Sequence, residues 1–286
     1  MEIEYTGMAS GDNSLSIPDN PLPPPIPPPN GMESPAPHAP ALDEDPPFTG
    51  WDVLQIAVLL VVSILVFLFV TAAVAHSLFY RRVPFVNVAQ IPMLAVMAQL
   101  LAYFLVLAFM VSLVKRDPNQ SFWRAIRWNW PKNWIVFLFG GGVMALVLLQ
   151  GVARFLPMPK DMPINHMFTN ASDAWALSVF GTTLAPLMEE LFFRGFLYPV
   201  LARRIGMIWS VLLTALGFSL IHAPQLGRAW GPVLVIFLVG LILTITRALT
   251  KSVAVTVLLH VGYNSAIFGS LLIVTGGFRH LEMLSQ

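Results

Sequence analysis

Beyond Trp51 the chain is a succession of apolar runs, and crossing the hydrocarbon core of a bilayer takes roughly 20 apolar residues in a helix. Residues 53–75, 91–114 and 134–156 meet that length. A fourth run starts near Ala174 and passes through Pro186 to about Leu201. A fifth covers about 206–223, a sixth about 232–248 and a seventh about 252–274. In lipid no water satisfies a free backbone N–H or C=O, so such runs fold as helices. The expected fold class is therefore all-α: a polytopic integral membrane bundle of seven transmembrane helices, or eight if the fourth run breaks at Pro186. Composition agrees, with 56% hydrophobic and 11% charged residues, against about 25% charged in soluble domains.

The formal net charge of +1 hides a division. Residues 1–50 hold eight acids, no Lys or Arg, and 13 of the 24 prolines, with a run from Pro23 to Pro29 interrupted only by Ile26. Such a segment buries too little apolar surface to offset its ordering entropy and reads as a disordered tail, locally polyproline II. The rest carries sixteen basic against seven acidic side chains, +9. No basic segment leads into an early apolar run, so a cleaved signal peptide is not expected. Lys115, Arg116, Arg124, Arg127 and Lys132 make the loop between spans two and three the most basic. The positive-inside rule then puts that loop and the N-terminus in the cytoplasm, most simply at the cytoplasmic membrane. Arg203, Arg204, Arg247 and Lys251 fall on the same side, while Arg81 and Arg82 fall outside. Trp123, Trp128, Trp130 and Trp134 suit an interfacial belt. The expected divisions are 1–50 tail, 51–172 N-terminal spans, 173–276 C-terminal membrane domain and 277–286 C-terminal tail.

Few ionisable side chains remain inside the runs. Run four has Glu189, Glu190 and Arg194, run five His222 and run seven His260; Arg247 is near enough to the end of run six to snorkel. A charge at the bilayer centre costs roughly 2.5–3.5 kcal/mol on insertion scales, so adjacent carboxylates there need a reason. Glu190 and Arg194, four apart, share a helix face and read as an ion pair. That pair leaves Glu189 unexplained, because it lies on a different face. His260 and Asn264 also share a face. Two Glu, one Arg, two His and an Asn on three apolar helices suit hydrolysis: a carboxylate takes a proton from water, and amide or imidazole N–H groups receive an oxyanion. The same cluster would also serve a proton relay in a transporter, or a non-catalytic scaffold.

Other chemistries lack their residues. Cysteine is absent, no HExxH or GxSxG occurs, and the apolar runs hold no Asp pair. No phosphate-binding loop is present, and no nucleic-acid partner is expected. What remains matches a pattern: Glu189 to Arg194 reads EExxxR, Phe218 to His222 reads FxxxH, and His260 to Asn264 reads HxxxN. These motifs, in this order on successive apolar helices, resemble the CPBP intramembrane protease family, which includes the type II CAAX prenyl endopeptidases and bacteriocin-immunity relatives. Thr246 to Ser252 is also similar to that family's approach to its last motif. The resemblance covers about 174–270 and implies an all-α membrane fold that hydrolyses a peptide bond of a membrane-anchored or lipidated substrate, CAAX-type prenylated proteins being the best known. It implies Glu189 as general base assisted by His222, His260 and Asn264 as the oxyanion hole, and Glu190 with Arg194 as a supporting pair. It leaves open a metal-free, glutamate-dependent site or a zinc site with Glu189, His222 and His260 as ligands. One geometric problem stands: Glu189 lies well inside run four and His222 at the end of run five, yet both must meet at one depth. A break at Pro186, or an interfacial start to run four, would bring them together.

Overall fold

A computed structural model describes residues 46–159 and 161–285. The expected acidic, proline-rich tail lies outside the described residues as far as position 45. Helices α1 (Gly50–Leu78), α2 (Phe85–Ala89), α3 (Pro92–Val114), α4 (Phe122–Ala125) and α5 (Trp134–Leu146) come first. The fourth run becomes α6 (Ala171–Thr182), α7 (Leu184–Glu190), a π-helical segment Leu191–Leu197 and α8 (Tyr198–Ile205). Then follow α9 (Met207–His222), α10 (Trp230–Thr250) and α11 (Val253–Val274). No strand occurs among the described residues. Six stretches are long and apolar enough to cross a membrane, and α9 is a shorter apolar helix. The all-α membrane bundle expected from the apolar runs is what the chain forms.

Local chemistry sets the helix starts. Thr49 caps α1: its hydroxyl accepts from the Asp52 N–H, while the Asp52 carboxylate accepts from the Thr49 N–H at 2.7 Å, closing a capping box. Asp52 also pairs with Arg116 at 2.6 Å, tying the start of α1 to the end of α3. Phe48 is buried and stacks on Phe196 with ring centroids 4.2 Å apart. Asn170 caps α6 and Ser252 caps α11 through their side-chain oxygens. Ser252 also donates to the Asn129 carbonyl at 2.5 Å, and the Arg127 carbonyl accepts from the Val253 N–H at 3.1 Å. The basic, Trp-rich loop therefore docks on the turn between α10 and α11.

Small residues bring the helices close where the site is built. α11 crosses α5 with Gly262 against the Leu138 carbonyl and Gly141 against the Leu259 carbonyl; a Cβ at Gly262 would lie 1.9 Å from that oxygen. Gly240 of α10 packs on Ala215 of α9 in the same manner. Such contacts suit membrane bundles, where backbone approach and dispersion replace the hydrophobic drive between helices. Arg247 departs from the snorkelling expectation. It is 1% exposed, with its guanidinium 5.5 Å from the Tyr198 ring centre and its Nε donating to a buried carbonyl. It lies three residues inside the end of α10, on the face turned to α8 rather than to lipid.

Candidate active site

Two prolines shape the segment that carries both glutamates. Pro186 has no N–H for the Thr182 carbonyl, and its ring crowds that carbonyl. The helix accordingly breaks at Thr183 (φ −119°, ψ −73°), between α6 and α7. The expected interruption lies three residues ahead of the proline that causes it. Pro199, at the start of α8, does the same further on, and before it the chain winds as a π-helix over Leu191–Leu197. Glu189 and Glu190 close α7; Arg194 sits in the π segment. Helix α9 resolves the depth problem from its side. Its 16 residues span about 24 Å at 1.5 Å each, short of the roughly 30 Å hydrocarbon core, so a helix that starts at one membrane edge leaves His222 short of the other.

Glu190 and Arg194 are completely buried and pair at 2.8 Å. The guanidinium also donates to the Gly240 carbonyl at 2.9 Å and to Thr244 Oγ1 at 3.2 Å, and it lies 4.6 Å from the Phe218 ring centre. Glu190 Oε1 accepts a second bond, from His260 Nδ1 at 2.9 Å. A buried charge persists only when paired and hydrogen-bonded, and here one carboxylate oxygen joins α7, the π segment and α11.

The partners assign the imidazole protons. His222 Nδ1 is 2.7 Å from the Phe218 carbonyl, which can only accept, so Nδ1 carries the hydrogen. His260 Nδ1 faces the Arg-paired carboxylate of Glu190 and donates likewise. In the neutral form each ring therefore presents an Nε2 lone pair. Both lone pairs converge on Glu189: His222 Nε2 is 3.8 Å from Oε1, and His260 Nε2 is 3.8 Å from Oε2. These gaps are too long for direct hydrogen bonds, and a water between the groups would close them. The Glu189 side chain is 17% exposed. Asn264, one turn beyond His260, donates from Nδ2 to the Gly181 carbonyl at 2.7 Å. That carbonyl lies at the end of α6, where the break leaves acceptors to be satisfied. The amide retains a second N–H.

A chamber of about 270 Å³ holds Glu189, His222, His260 and Asn264 in its wall, with Tyr103, Gln99 and Gln225. A second chamber of about 230 Å³ extends between α1, α3 and α9, past Leu60, Val61 and Ile221. The two share Gln99, Tyr103, Glu189, His222 and Gln225. All six expected site residues are thus brought together: four line the larger chamber, and Glu190 and Arg194 lie behind it. Sequence reasoning missed Gln99, Tyr103 and Gln225. Gln99 and Tyr103 are polar residues within an otherwise apolar run, a signal that was available. Gln225 lies in the loop after α9, where a polar residue carries no signal. The zinc alternative gains no support, since among the described residues no three His, Cys, Asp or Glu side chains are grouped to hold a metal ion.

Six stretches long and apolar enough to cross a membrane, among the described residues, mark an integral, multi-pass membrane protein with a buried glutamate–histidine cluster. Residues 171–266, which contain every one of the six polar residues, match the family model described as type II CAAX prenyl endopeptidase Rce1-like. On that segment the resemblance to the CPBP intramembrane proteases holds. No curated protein and no solved structure matches the chain.

Proposed function

We propose that the protein is an intramembrane endopeptidase in which Glu189 activates water against a peptide carbonyl. The observation that carries this reading is the convergence of two imidazole Nε2 lone pairs on the two oxygens of Glu189, inside a chamber. Water held there gives one hydrogen to Glu189 while His222 Nε2 accepts the other as a hydrogen bond, and its oxygen adds to the scissile carbonyl carbon. The C–N bond then breaks as the proton passes from Glu189 to the departing amine. The products are a new carboxyl terminus and a new amino terminus. The second N–H of Asn264 suits the oxyanion. His260 suits it in its protonated form, the Nε2 proton taken up from solvent before attack and kept through the cycle, with Glu190 holding Nδ1. Glu190 and Arg194 are supports: their pair fixes the π segment and, through His260, the register of α11.

The substrate class this site suits is a membrane-anchored or lipidated peptide, because the second chamber is walled mainly by apolar side chains of membrane-spanning helices. Lys115, Arg116, Arg124, Arg127, Lys132, Arg203, Arg204 and Lys251 lie at the end of the bundle where α1 begins, which supports a cytoplasmic N-terminus. The test is a comparison of membrane-derived peptides from cells making the native protein and cells making Glu189→Ala. New termini within or beside membrane anchors should be present in the first and missing from the second. Identical peptide sets would refute the reading.

A further inference from the structure

We infer that Arg247 is a positioning residue for the hydrolytic site, holding the π segment by supplying a hydrogen bond that Pro199 cannot. The inference rests on the endopeptidase reading only for its kinetic readout. Within the π segment backbone bonds run from residue i+5 to residue i. The Tyr198 N–H accordingly reaches the Phe193 carbonyl. The next bond in that register would run from residue 199 to the Arg194 carbonyl, but a proline has no N–H. The Arg194 carbonyl is therefore left without a helical donor in a fully buried place, where an unmet acceptor costs free energy. Arg247 Nε, from α10, donates to that carbonyl at 3.1 Å. Arg194 is thus gripped at both ends. Its guanidinium reaches Glu190, Gly240 and Thr244, and its backbone is held by Arg247. Because Glu190 in turn bonds His260, the position of Arg194 reaches one of the two imidazoles that flank Glu189. Arg247 is not part of the chamber wall; it acts through the backbone of Arg194.

The test restores the missing donor from the other side. Replacing Pro199 by Ala returns an N–H to the place where the Arg194 carbonyl lacks one. Four purified proteins are compared in kcat, KM and thermal unfolding: native, Arg247→Met, Pro199→Ala and the double variant. Arg247→Met should lower kcat about tenfold or more while KM stays within about twofold, as expected for a displaced catalytic group rather than lost substrate contacts. Pro199→Ala should stay near native. The double variant should regain at least about half of the lost activity on a logarithmic scale, a rescue that a merely space-filling role for Arg247 would not give. A double variant no better than Arg247→Met overturns the inference. If Arg247→Met does not fold, Arg247→Lys, which keeps a charged donor of shorter reach, takes its place in the same comparison. If none of the four proteins, native included, cleaves peptide, the endopeptidase reading fails. Tm then decides the inference alone: recovery in the double variant upholds it, and no recovery overturns it.

Discussion

The crossing of α5 and α11 predicts a large effect from a single methyl group. A Cβ at Gly262 would lie 1.9 Å from the Leu138 carbonyl oxygen and 2.9 Å from its carbon, both of them backbone atoms that cannot rotate away. Real Cβ contacts essentially never fall below 3.0 Å, so Gly262→Ala must push the helices apart by about 1 Å. Forcing volume into a packed contact costs about 1–3 kcal/mol. The displacement also moves His260, two residues away, against Glu189 and Glu190. A misplacement of about 1 Å in a catalytic site costs roughly 100-fold in rate. Gly269 on the same helix provides the control, because nothing lies within 4 Å of its Cβ position. Gly269→Ala should leave activity intact and add up to about 1 kcal/mol through helix propensity. The assay is thermal unfolding in detergent together with cleavage of a membrane-anchored peptide. If Gly262→Ala matches Gly269→Ala in both, the argument that this backbone contact sets the register of α11 is wrong.

Other consequences follow from the same geometry. Arg194→Met leaves Glu190 buried without its cation, which costs about 3–5 kcal/mol; a fall in Tm far beyond that of a surface control would show it. Peptide cleavage should stay within about twofold after exhaustive chelation, since the site as built does not group metal ligands; a loss reversed by added zinc would contradict this. The chain contains no cysteine, so single-cysteine variants report access cleanly. Ser121 precedes α4 at the basic end of the bundle, and Gln225 follows α9 at the other. An impermeant thiol reagent should therefore reach Ser121→Cys and Gln225→Cys from opposite sides of the membrane.

The scarcity of charge made the core of the site legible. In a chain whose runs are almost wholly apolar, Glu189, Glu190, Arg194, His222 and His260 stand out without any knowledge of the fold. The spacings of Arg194 from Glu190 and of Asn264 from His260 survive as one-turn relations, because local helix geometry carries them. What the sequence could not show arises between segments or from backbone detail. In lipid the outer face of a helix is as apolar as the inner one, so no amphipathic stripe marks which side of α3 faces the chamber. Gln99 and Tyr103, four apart, mark one face of α3, but nothing in the sequence says which helices that face meets. Arg247 has the same composition signal as a snorkelling residue, and only its packing against Tyr198 and the Arg194 carbonyl distinguishes the two. The π segment follows from Pro199 in hindsight, but a proline near a helix start is equally compatible with a simple break. The close crossing at Gly141 and Gly262 depends on two glycines 121 residues apart meeting across a helix pair.

The central claim is that Glu189 takes the proton of an attacking water. Its most direct test is the rate at which new amino termini appear from a membrane-anchored peptide, measured with purified native protein and with Glu189→Gln. Glutamine keeps the size of the side chain and its hydrogen-bonding reach but cannot act as the base. The account predicts a fall of at least about 100-fold, within the range that general acid–base groups contribute, with Tm preserved. Cleavage by Glu189→Gln at the native rate would contradict it.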